Sequence, residues 1–368
     1  MKLLIISRPF LFYGGVERAT AGLVQALVAH GHDVHLASPP GQQPVLGVTP
    51  HRLPVPPRPA TARLVLLAVA ARWLASRDRW DVVQSHERTL GQHIYRAGEG
   101  CHRAYLASRQ RSTARGLYHR TLLALERRMF EQTPRIVAIA RAGKREIETL
   151  YGVSPERVTV IYNGVDLERF HPRNRKLVRG AARSEAGIPA EAWTAIFVGS
   201  GFERKGLATT IEALSRLTDR TSRLIVVGKG DTRPYRAVAE RLGTGQRVVW
   251  LPPRADIERW YAAADACVLP TRYEPFGNVH LEALASGLPV VASTAAGGSE
   301  LIRSGVNGAV VDPRDPAAVA AALEHVREIG RAGAAAEAAR ASAEPFTYAA
   351  QAAAFSDLYA ACAAPKLC

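Results

Sequence analysis

The stretch TAIFVGSGFERKGLATTIEAL, residues 194–214, decides the fold class. It begins with a short run of apolar and β-branched residues, which is typical of a buried strand. It ends with apolar residues at helical spacing, which predict a helix from Gly206 to Leu217. The loop between them contains two adjacent cations, Arg204 and Lys205. The stretch therefore predicts strand, loop and helix, the repeating unit of α/β proteins.

The same alternation continues in both directions along the chain. Toward the N-terminus, KLLIIS is followed by a loop with Gly14 and Gly15 and by the helical pattern VERATAGLVQALVAHGH. Further strand patterns are DVHLAS, DVVQS and RIVAIA on that side, and RLIVVGKG, RVVWLPP, ACVLP and LPVVAS on the other. Repeated units of this kind predict parallel sheets with helices on both faces.

The length of 368 residues predicts two domains. The stretch from Asn163 to about residue 189 has an Asn-Gly pair, a proline and a basic run, so it suits an inter-domain connection. We predict an N-terminal domain over residues 1–165 and a second domain over 166–345. An amphipathic helix within 346–368 is expected to pack back on the N-terminal domain.

The charge balance predicts an anionic partner. Forty-eight Lys and Arg against thirty-three Asp and Glu give a net charge of +15, although base composition alone can enrich arginine. Residues 101–128, the basic segment, hold seven arginines, one acid and interspersed tyrosines and leucines. This mixture suits an anionic membrane or a phosphorylated glycolipid, and a solvated helix pair is the alternative. No nucleic-acid motif accompanies the charge, so no nucleic-acid partner is predicted.

The compartment is predicted from three features that the sequence lacks: a signal peptide, a membrane-spanning run and a CxxC pair. The N-terminal apolar run is too short for a signal peptide, and no run approaches the length that spans a bilayer. The four cysteines form no CxxC pair, which favours a reducing compartment. We therefore expect a cytoplasmic protein whose membrane contact is peripheral.

A second conspicuous stretch is TRYEPFGNVHLEALASG, residues 271–287, with Glu274 and Glu282 eight positions apart. Pro275 predicts that a helix begins just after Glu274. The amides that would then face an anionic ligand are those of Phe276, Gly277 and Asn278. Carboxylates suit the gripping of hydroxyl groups, so the pair is expected to bracket a phosphate site, although either glutamate alone is more often solvated.

Other ligand classes are disfavoured by the same kind of reasoning. Arg204 and Lys205 follow a strand directly and suit a diphosphate, which needs more than one positive charge. A dinucleotide fingerprint is incomplete at GKGDTR, where Arg233 stands in place of the third glycine. The histidines at 86 and 93 lack a zinc-ligand pattern, and there is no DxD pair. No metal and no cofactor are predicted.

These motifs together resemble glycosyltransferase family 4, whose GT-B fold has two Rossmann-like doubly wound domains facing each other across a cleft. The resemblance covers nearly the whole chain. Within the family, the stretch GSGFERKGLATTIEAL and the overall length of the chain most resemble the lipopolysaccharide-core glucosyltransferase I group. The resemblance implies a metal-independent, retaining hexosyltransferase at the inner face of a bacterial inner membrane. It implies transfer from UDP-glucose or a related UDP-hexose to inner-core heptose of lipopolysaccharide.

Alternatives at this stage are a family 4 enzyme with another lipid-linked or soluble acceptor, or a non-catalytic polyanion-binding or membrane-binding protein on the same scaffold. The resemblance also implies roles for single residues. Arg204 and Lys205 would bind the donor diphosphate, Glu274 the hexose hydroxyls and Glu282 the ribose. Gly15 would touch the phosphate, Arg254 would lie near the base, and the amides of Phe276, Gly277 and Asn278 would assist.

Many family members carry a histidine after a strand of the first domain. The corresponding stretch here, IYRAGEGCHRAY, offers Glu99 instead, and the core-glucosyltransferase group also has an acid there. Glu99 is therefore expected to orient the acceptor or to stabilise positive charge at the anomeric carbon, while His102 is expected to have no role. The predicted catalytic residues are Glu274, Arg204, Lys205 and Glu99.

Overall fold

The computed structural model describes residues 1–10, 15–109, 116–331 and 333–363. Gly14 of the predicted glycine loop and residues 110–115 of the basic segment lie outside these ranges. The chain divides into two compact units. The first unit comprises Met1–Gly164 together with the chain from Tyr348 onward, and the second unit comprises Val165–Thr347.

The first unit is built on a parallel sheet, in which the described residues form seven strands in the order β3-β2-β1-β4-β5-β6-β7. The strands are β1 Lys2–Ile6, β2 Asp33–Ser38, β3 Val48–Arg52, β4 Val82–Ser85, β5 Ile94–Arg96, β6 Arg135–Ala138 and β7 Val158–Val160. The helices are α1 Gly15–Ala29, α2 Ala60–Arg77, α3 His102–Ser108, α4 Leu117–Gln132, α5 Arg141–Tyr151 and α14 Tyr348–Ala363.

Strand β1 shows why its sequence is apolar throughout. Leu3 and Ile5 belong to one buried cluster, with residues of α1 and α14, while Leu4 and Ile6 belong to another, with residues of α2. Successive side chains of a strand point to opposite faces, so a strand covered on both faces needs apolar residues at every position. Helix α14 packs beside α1, with Phe355 buried in the first of these clusters.

The second unit is built on a parallel sheet, whose described strands lie in the order β10-β9-β8-β11-β12-β13. The strands are β8 Thr194–Val198, β9 Arg223–Val227, β10 Val248–Leu251, β11 Ala266–Leu269, β12 Val290–Ser293 and β13 Gly308–Val311. The helices are α6 Asn174–Glu185, α7 Phe202–Lys205, α8 Leu207–Arg216, α9 Arg233–Arg241, α10 Ile257–Ala263, α11 Asn278–Ala285, α12 Pro316–Arg331 and α13 Ala334–Ala343.

The stretch that opened the sequence analysis forms β8, the single-turn helix α7 and then α8. The break between the two helices falls at Gly206, whose φ of 79° is left-handed. A Cβ at Gly206 would also collide with the carbonyl oxygen of Pro270, so glycine is required there for two reasons. The predicted two α/β units with parallel sheets are confirmed.

One predicted helix boundary is wrong. The helix expected to begin just after Glu274 begins at Asn278, and Gly277 precedes it with a left-handed φ of 90°. Pro275 therefore lies in the loop before α11, and of the three predicted amides only that of Asn278 belongs to the helix.

Among the described residues, no helix is both long and apolar enough to cross a lipid bilayer.

Candidate active site

The centre of the site in the second unit is one carboxylate with two cations on it. Arg204 and Lys205, at the end of α7, both pair with the same oxygen of Glu274. The distance from the Arg204 guanidinium to that oxygen is 3.0 Å, and the guanidinium also donates to the carbonyl of Tyr273 at 2.7 Å. The structure thus joins three of the four predicted catalytic residues at the carboxyl edge of the sheet, where parallel α/β sheets bind ligands.

The electrostatics of this group keep the Glu274 carboxylate ionised. Burial of Glu274 favours its protonated form, but the charges and hydrogen bonds of Lys205 and Arg204 outweigh it and lower its pKa to about 2. Lys205 is itself buried. An unpaired buried cation is costly, so Glu274 supplies the negative charge that Lys205 needs in the absence of a ligand.

The loop that carries Glu274 is pinned by its backbone. The amide of Glu274 donates to the carbonyl of Ala295 at 3.1 Å, and its carbonyl accepts from the amide of Gly297 at 2.9 Å. The carbonyl of Phe276 accepts from the amide of Gly298 at 2.6 Å. This ladder between two loops fixes where the carboxylate lies before any ligand arrives.

His280 is a buried neighbour of the site that the sequence analysis did not single out. Its ring lies against two glycines, since a Cβ would come within 2.7 Å of Nδ1 at Gly277 and within 2.8 Å at Gly298. Burial, together with the charge of Lys205, lowers the pKa of His280 to about 4. A neutral ring therefore fills the space between the two loops that hold Glu274. In the sequence, the one indication of this role is the position of His280 within residues 271–287.

The other predicted donor-binding residues lie at separate points of the second unit. Glu282, in α11, is buried and accepts a hydrogen bond of 2.9 Å from the hydroxyl of Tyr261. Arg254, in the loop after β10, forms two hydrogen bonds with Asp256 at 2.9 and 3.0 Å. Its guanidinium lies 5.2 Å from the ring centre of Trp260. Both side chains are therefore oriented by partners from the α10 region.

The first unit holds the fourth predicted catalytic residue, Glu99, in a chain of alternating charges. Glu99 pairs with Arg8 at 2.7 Å and with Arg88 at 3.1 Å. Arg8 also pairs with Glu87 at 2.8 Å. Although burial opposes ionisation, the two arginines hold the pKa of Glu99 below its ordinary value. Sequence reasoning found Glu99 and missed both arginines, which sit in loops after β1 and β4 without any motif.

The chain of charges ends inside the basic segment. Glu126, its only acid, is fully buried and accepts a 2.7 Å hydrogen bond from Arg88. It also accepts from the backbone amide of His102 and from the hydroxyl of Tyr151. The segment is therefore anchored to the core through Glu126. His102 is buried, 3.0 Å from His119 between ring nitrogens. The remaining predicted residue, Gly15, begins α1.

Two parallel-sheet units in one chain, of which the second carries cations and a carboxylate at its carboxyl edge, define a glycosyltransferase of the GT-B class. Two family models match the chain: "Glycosyltransferase Family 4" over residues 13–169 and "Glycosyl transferases group 1" over residues 192–328. The chain belongs to glycosyltransferase family 4.

Relatives and solved structures agree with this assignment. A D-inositol 3-phosphate glycosyltransferase of Xylanimonas cellulosilytica is 32% identical over 80% of this chain and 70% of its own length. An uncharacterized glycosyltransferase of Methanocaldococcus jannaschii is 27% identical over 89% of each chain. The crystal structure of WaaG, a glycosyltransferase involved in lipopolysaccharide biosynthesis, superposes with a TM-score of 0.83 at 25% identity, covering 97% of this chain and 99% of WaaG. Anabaena HepE, solved with UDP-glucose, shares the fold at 19% identity, with a TM-score of 0.76 and coverage of 98% and 100%.

The lowered pKa of Glu274 predicts a pH-dependent stability. The carboxylate contributes stability that is present above its ordinary value of 4.5 and is lost as the pH falls toward about 2. The destabilisation caused by Glu274→Gln should therefore shrink by about 2 kcal/mol between pH 6 and pH 3. Urea unfolding followed by tryptophan fluorescence measures it. The exposed Glu337→Gln is the control, and a Glu274→Gln deficit that is equal at both pH values would contradict the assignment.

Proposed function

We propose that this glycosyltransferase moves a hexose, with retention of configuration, from a nucleotide sugar, UDP-glucose or a related UDP-hexose. The observation that carries the proposal is the pairing of Arg204 and Lys205 with Glu274 at the carboxyl edge of the second sheet. Two fixed cations match a diphosphate, and a carboxylate beside them matches sugar hydroxyls. The structure of HepE with UDP-glucose supports a donor of this class on the same fold.

Donor binding on this arrangement is an exchange of anions. The diphosphate takes the place of the Glu274 carboxylate on Arg204 and Lys205, so the cations never lose their counter-charge. Glu274 is then released to accept hydrogen bonds from the hexose. Glu282, held by the Tyr261 hydroxyl, is the carboxylate that we assign to the ribose. Arg254 is assigned to the base end of the donor.

Catalysis in this proposal is electrostatic. As the bond between the anomeric carbon and the diphosphate breaks, negative charge grows on the departing oxygen, where Arg204 and Lys205 stabilise it. The departing phosphate takes the proton of the attacking acceptor hydroxyl on the same face of the sugar, which retains configuration. Because two side-chain cations supply the positive charge, the proposal assigns no catalytic role to a divalent metal or to a cofactor.

The acceptor that we propose is inner-core heptose of lipopolysaccharide, a phosphorylated glycolipid. The similarity to WaaG over 97% of the chain supports it, as does the acid at Glu99 in the first unit. Held between Arg8 and Arg88, Glu99 stays ionised and can accept a hydrogen bond from an acceptor hydroxyl. A second candidate is a soluble inositol phosphate, because an inositol phosphate glycosyltransferase has the higher sequence identity, 32%.

We further propose that the protein acts at the inner face of the inner membrane, which it binds peripherally. Helix α2 exposes an apolar stripe with exposed fractions of 44% at Val65, 42% at Leu66, 59% at Val69 and 53% at Trp73. Exposed arginines at 63, 72 and 77 flank the stripe. The guanidinium of Arg77 lies 4.4 Å from the ring centre of Trp73.

The stripe on α2 adjoins the described C-terminal part of the basic segment. Helices α2 and α4 pack side by side, and α4 begins with the exposed Leu117 and Tyr118. Apolar side chains among arginines match the boundary between acyl chains and anionic headgroups, and no acidic residue lies within α2. This charge complementarity favours an anionic lipid surface as the partner of the two helices.

The transfer itself is tested by mass spectrometry of products. Purified protein is incubated with UDP-, GDP- or ADP-hexoses and either heptose-terminated lipopolysaccharide or inositol 3-phosphate. We expect one hexose to be added from a UDP-hexose to the lipopolysaccharide, and Glu274→Ala to lower the rate about 100-fold or more. The exposed Glu337→Ala serves as the control.

Addition to inositol phosphate alone would replace the proposed acceptor by the second candidate. No transfer from any donor, with lipopolysaccharide still bound, would favour a non-catalytic polyanion-binding or membrane-binding protein. NMR of the product's anomeric proton decides between retention and inversion.

Membrane binding is tested by sedimentation with vesicles of phosphatidylcholine and phosphatidylglycerol in a 3:1 ratio. The double variant Val69→Ser, Trp73→Ser should bind about tenfold more weakly, because it removes the largest apolar side chains of the stripe. Leu177→Ser is the matched control, since Leu177 is 73% exposed on α6 of the second unit. Equal binding of wild type and double variant, or equal binding to pure phosphatidylcholine vesicles, would rule out this surface.

A further inference from the structure

A cavity in the first unit lies at the carboxyl ends of β1, β4 and β5. Its walls include Arg8, His86 and Arg96, together with Glu17, Glu87 and Glu99. Parallel sheets bind ligands at this edge, and Glu99 places the predicted acceptor site here. The cavity was not predicted from the sequence, since its two arginines and its histidine belong to no motif.

Arg96 is a buried cation without an acid. It is 1% exposed, and among the residues that the structure describes it forms no ion pair with a carboxylate. Its guanidinium donates to the side-chain oxygen of Asn163 at 2.6 Å, while its Nε has no acceptor. Burial lowers the pKa of Arg96 to about 10, so it remains charged at neutral pH. Burying a charged guanidinium costs free energy unless an anion pairs with it.

The chain makes room for this guanidinium. A Cβ at Gly98 would lie 2.6 Å from a terminal nitrogen of Arg96, so any larger residue would displace the side chain. Arg8, in contrast, is engaged by Glu87 and Glu99. Of the two arginines that line the cavity, Arg96 is therefore the one that no carboxylate of the described residues pairs with.

His86 offers a second buried donor to the same cavity. The hydroxyl of Tyr359, on α14, donates to the Gln84 oxygen at 2.7 Å, which turns the Gln84 amide nitrogen toward His86. That nitrogen lies 2.7 Å from Nε2 of His86. Nε2 must then accept, so the proton of the neutral ring is on Nδ1, and Nδ1 is buried without a partner. Burial and the charge of Arg96 keep the ring neutral by lowering its pKa.

Arg96 and His86 both line this cavity, and each has a buried N–H without an acceptor, so together they define a place for an oxygen-rich group. We infer that this cavity binds an anionic oxygen group, a phosphate or a carboxylate, of the sugar acceptor, through Arg96 and His86. The inference rests on the proposed function and deepens it, because it specifies an acceptor that carries a negative charge close to its hydroxyls. Arg96 and His86 thereby become specificity-determining residues.

The carboxylates that line the cavity suit the rest of such an acceptor. Glu17, Glu87 and Glu99 line the cavity together with Arg96 and His86. Two of these carboxylates are already neutralised by Arg8 and Arg88, so they do not repel an anion at Arg96 as free charges would. Their oxygens can accept hydrogen bonds from hydroxyls. An anion at Arg96 and His86 and hydroxyls at the carboxylates describe a phosphorylated or acidic sugar.

The test is calorimetric titration of the full-length protein with inorganic phosphate, with glucose 6-phosphate and with glucose as the neutral control. We expect both phosphates to bind, and Arg96→Gln to weaken them about tenfold or more, as expected when one charge-assisted contact is lost. His86→Phe should weaken them severalfold, since it removes the N–H and keeps a ring. UDP affinity should be unchanged in both variants.

Arg183→Gln is the matched control. Arg183 is also buried, at 4% exposure, but lies in the second unit, where it donates to the carbonyl of Ala190 and the hydroxyl of Thr194. Thermal melting checks the fold, and if Arg96→Gln does not fold, His86→Phe decides the matter. Absence of phosphate binding in the wild type, or unchanged affinity in the folded variants, overturns the inference. A parallel loss of UDP affinity also overturns it, because the anion would then belong to the donor.

These outcomes are independent of turnover. A protein that transfers hexose but binds phosphate without Arg96 or His86 would keep the proposed function and lose the inference. A protein that binds phosphate through them but transfers nothing would do the reverse.

Discussion

The carboxylate of Glu274 between Arg204 and Lys205 is the interaction on which the donor site depends. Lys205 is buried at the end of a four-residue helix, and Arg204 is held against the carbonyl of Tyr273. Without a negative partner, the buried Lys205 would carry a desolvation cost that a small loop cannot offset. The residue that we expect to hold the sugar is therefore also the residue that neutralises the buried Lys205.

The first unit solves a similar problem differently. Its cations Arg8 and Arg88 are neutralised by an alternating series of carboxylates that ends at the fully buried Glu126. Arg96 stands outside this series with a neutral amide as its partner. A pre-formed site with one charge left uncompensated selects an anionic ligand, because only such a ligand removes the cost of burying that charge.

Much of the fold follows from local patterns. The apolar runs of β1 and β8 predict strands buried on both faces, and Arg204, Lys205 and Glu274 are conspicuous because each follows such a strand. The start of α11 was mispredicted because Pro275 suits a first helical turn, whereas the left-handed backbone at Gly277 and the ladder to residues 295–298 delay the helix to Asn278. The hydrogen bonds of that ladder join loops that are distant in sequence, so no local rule predicts it.

Which charged residues pair with each other could also not be predicted from the sequence. The two glutamates of residues 271–287 were expected to bracket a phosphate. The sequence does not reveal that Glu274 itself forms ion pairs with Arg204 and Lys205. Likewise, Arg96 looks like the polar end of a short strand, and its burial beside Gly98 and Asn163 is seen only in the folded structure. Local sequence predicts which residue types reach the edge of a sheet, while tertiary packing decides which of them are left without a partner.

The central claim, that the donor diphosphate exchanges with Glu274 on Arg204 and Lys205, is tested most directly by calorimetric titration of UDP into wild type and Glu274→Gln. UDP has no hexose for Glu274 to hold, so the account predicts that the variant binds UDP at least as tightly as the wild type, by up to about tenfold, because a competing anion is gone. A folded Glu274→Gln variant that binds UDP about tenfold more weakly would contradict the exchange and make Glu274 a direct support of the nucleotide site.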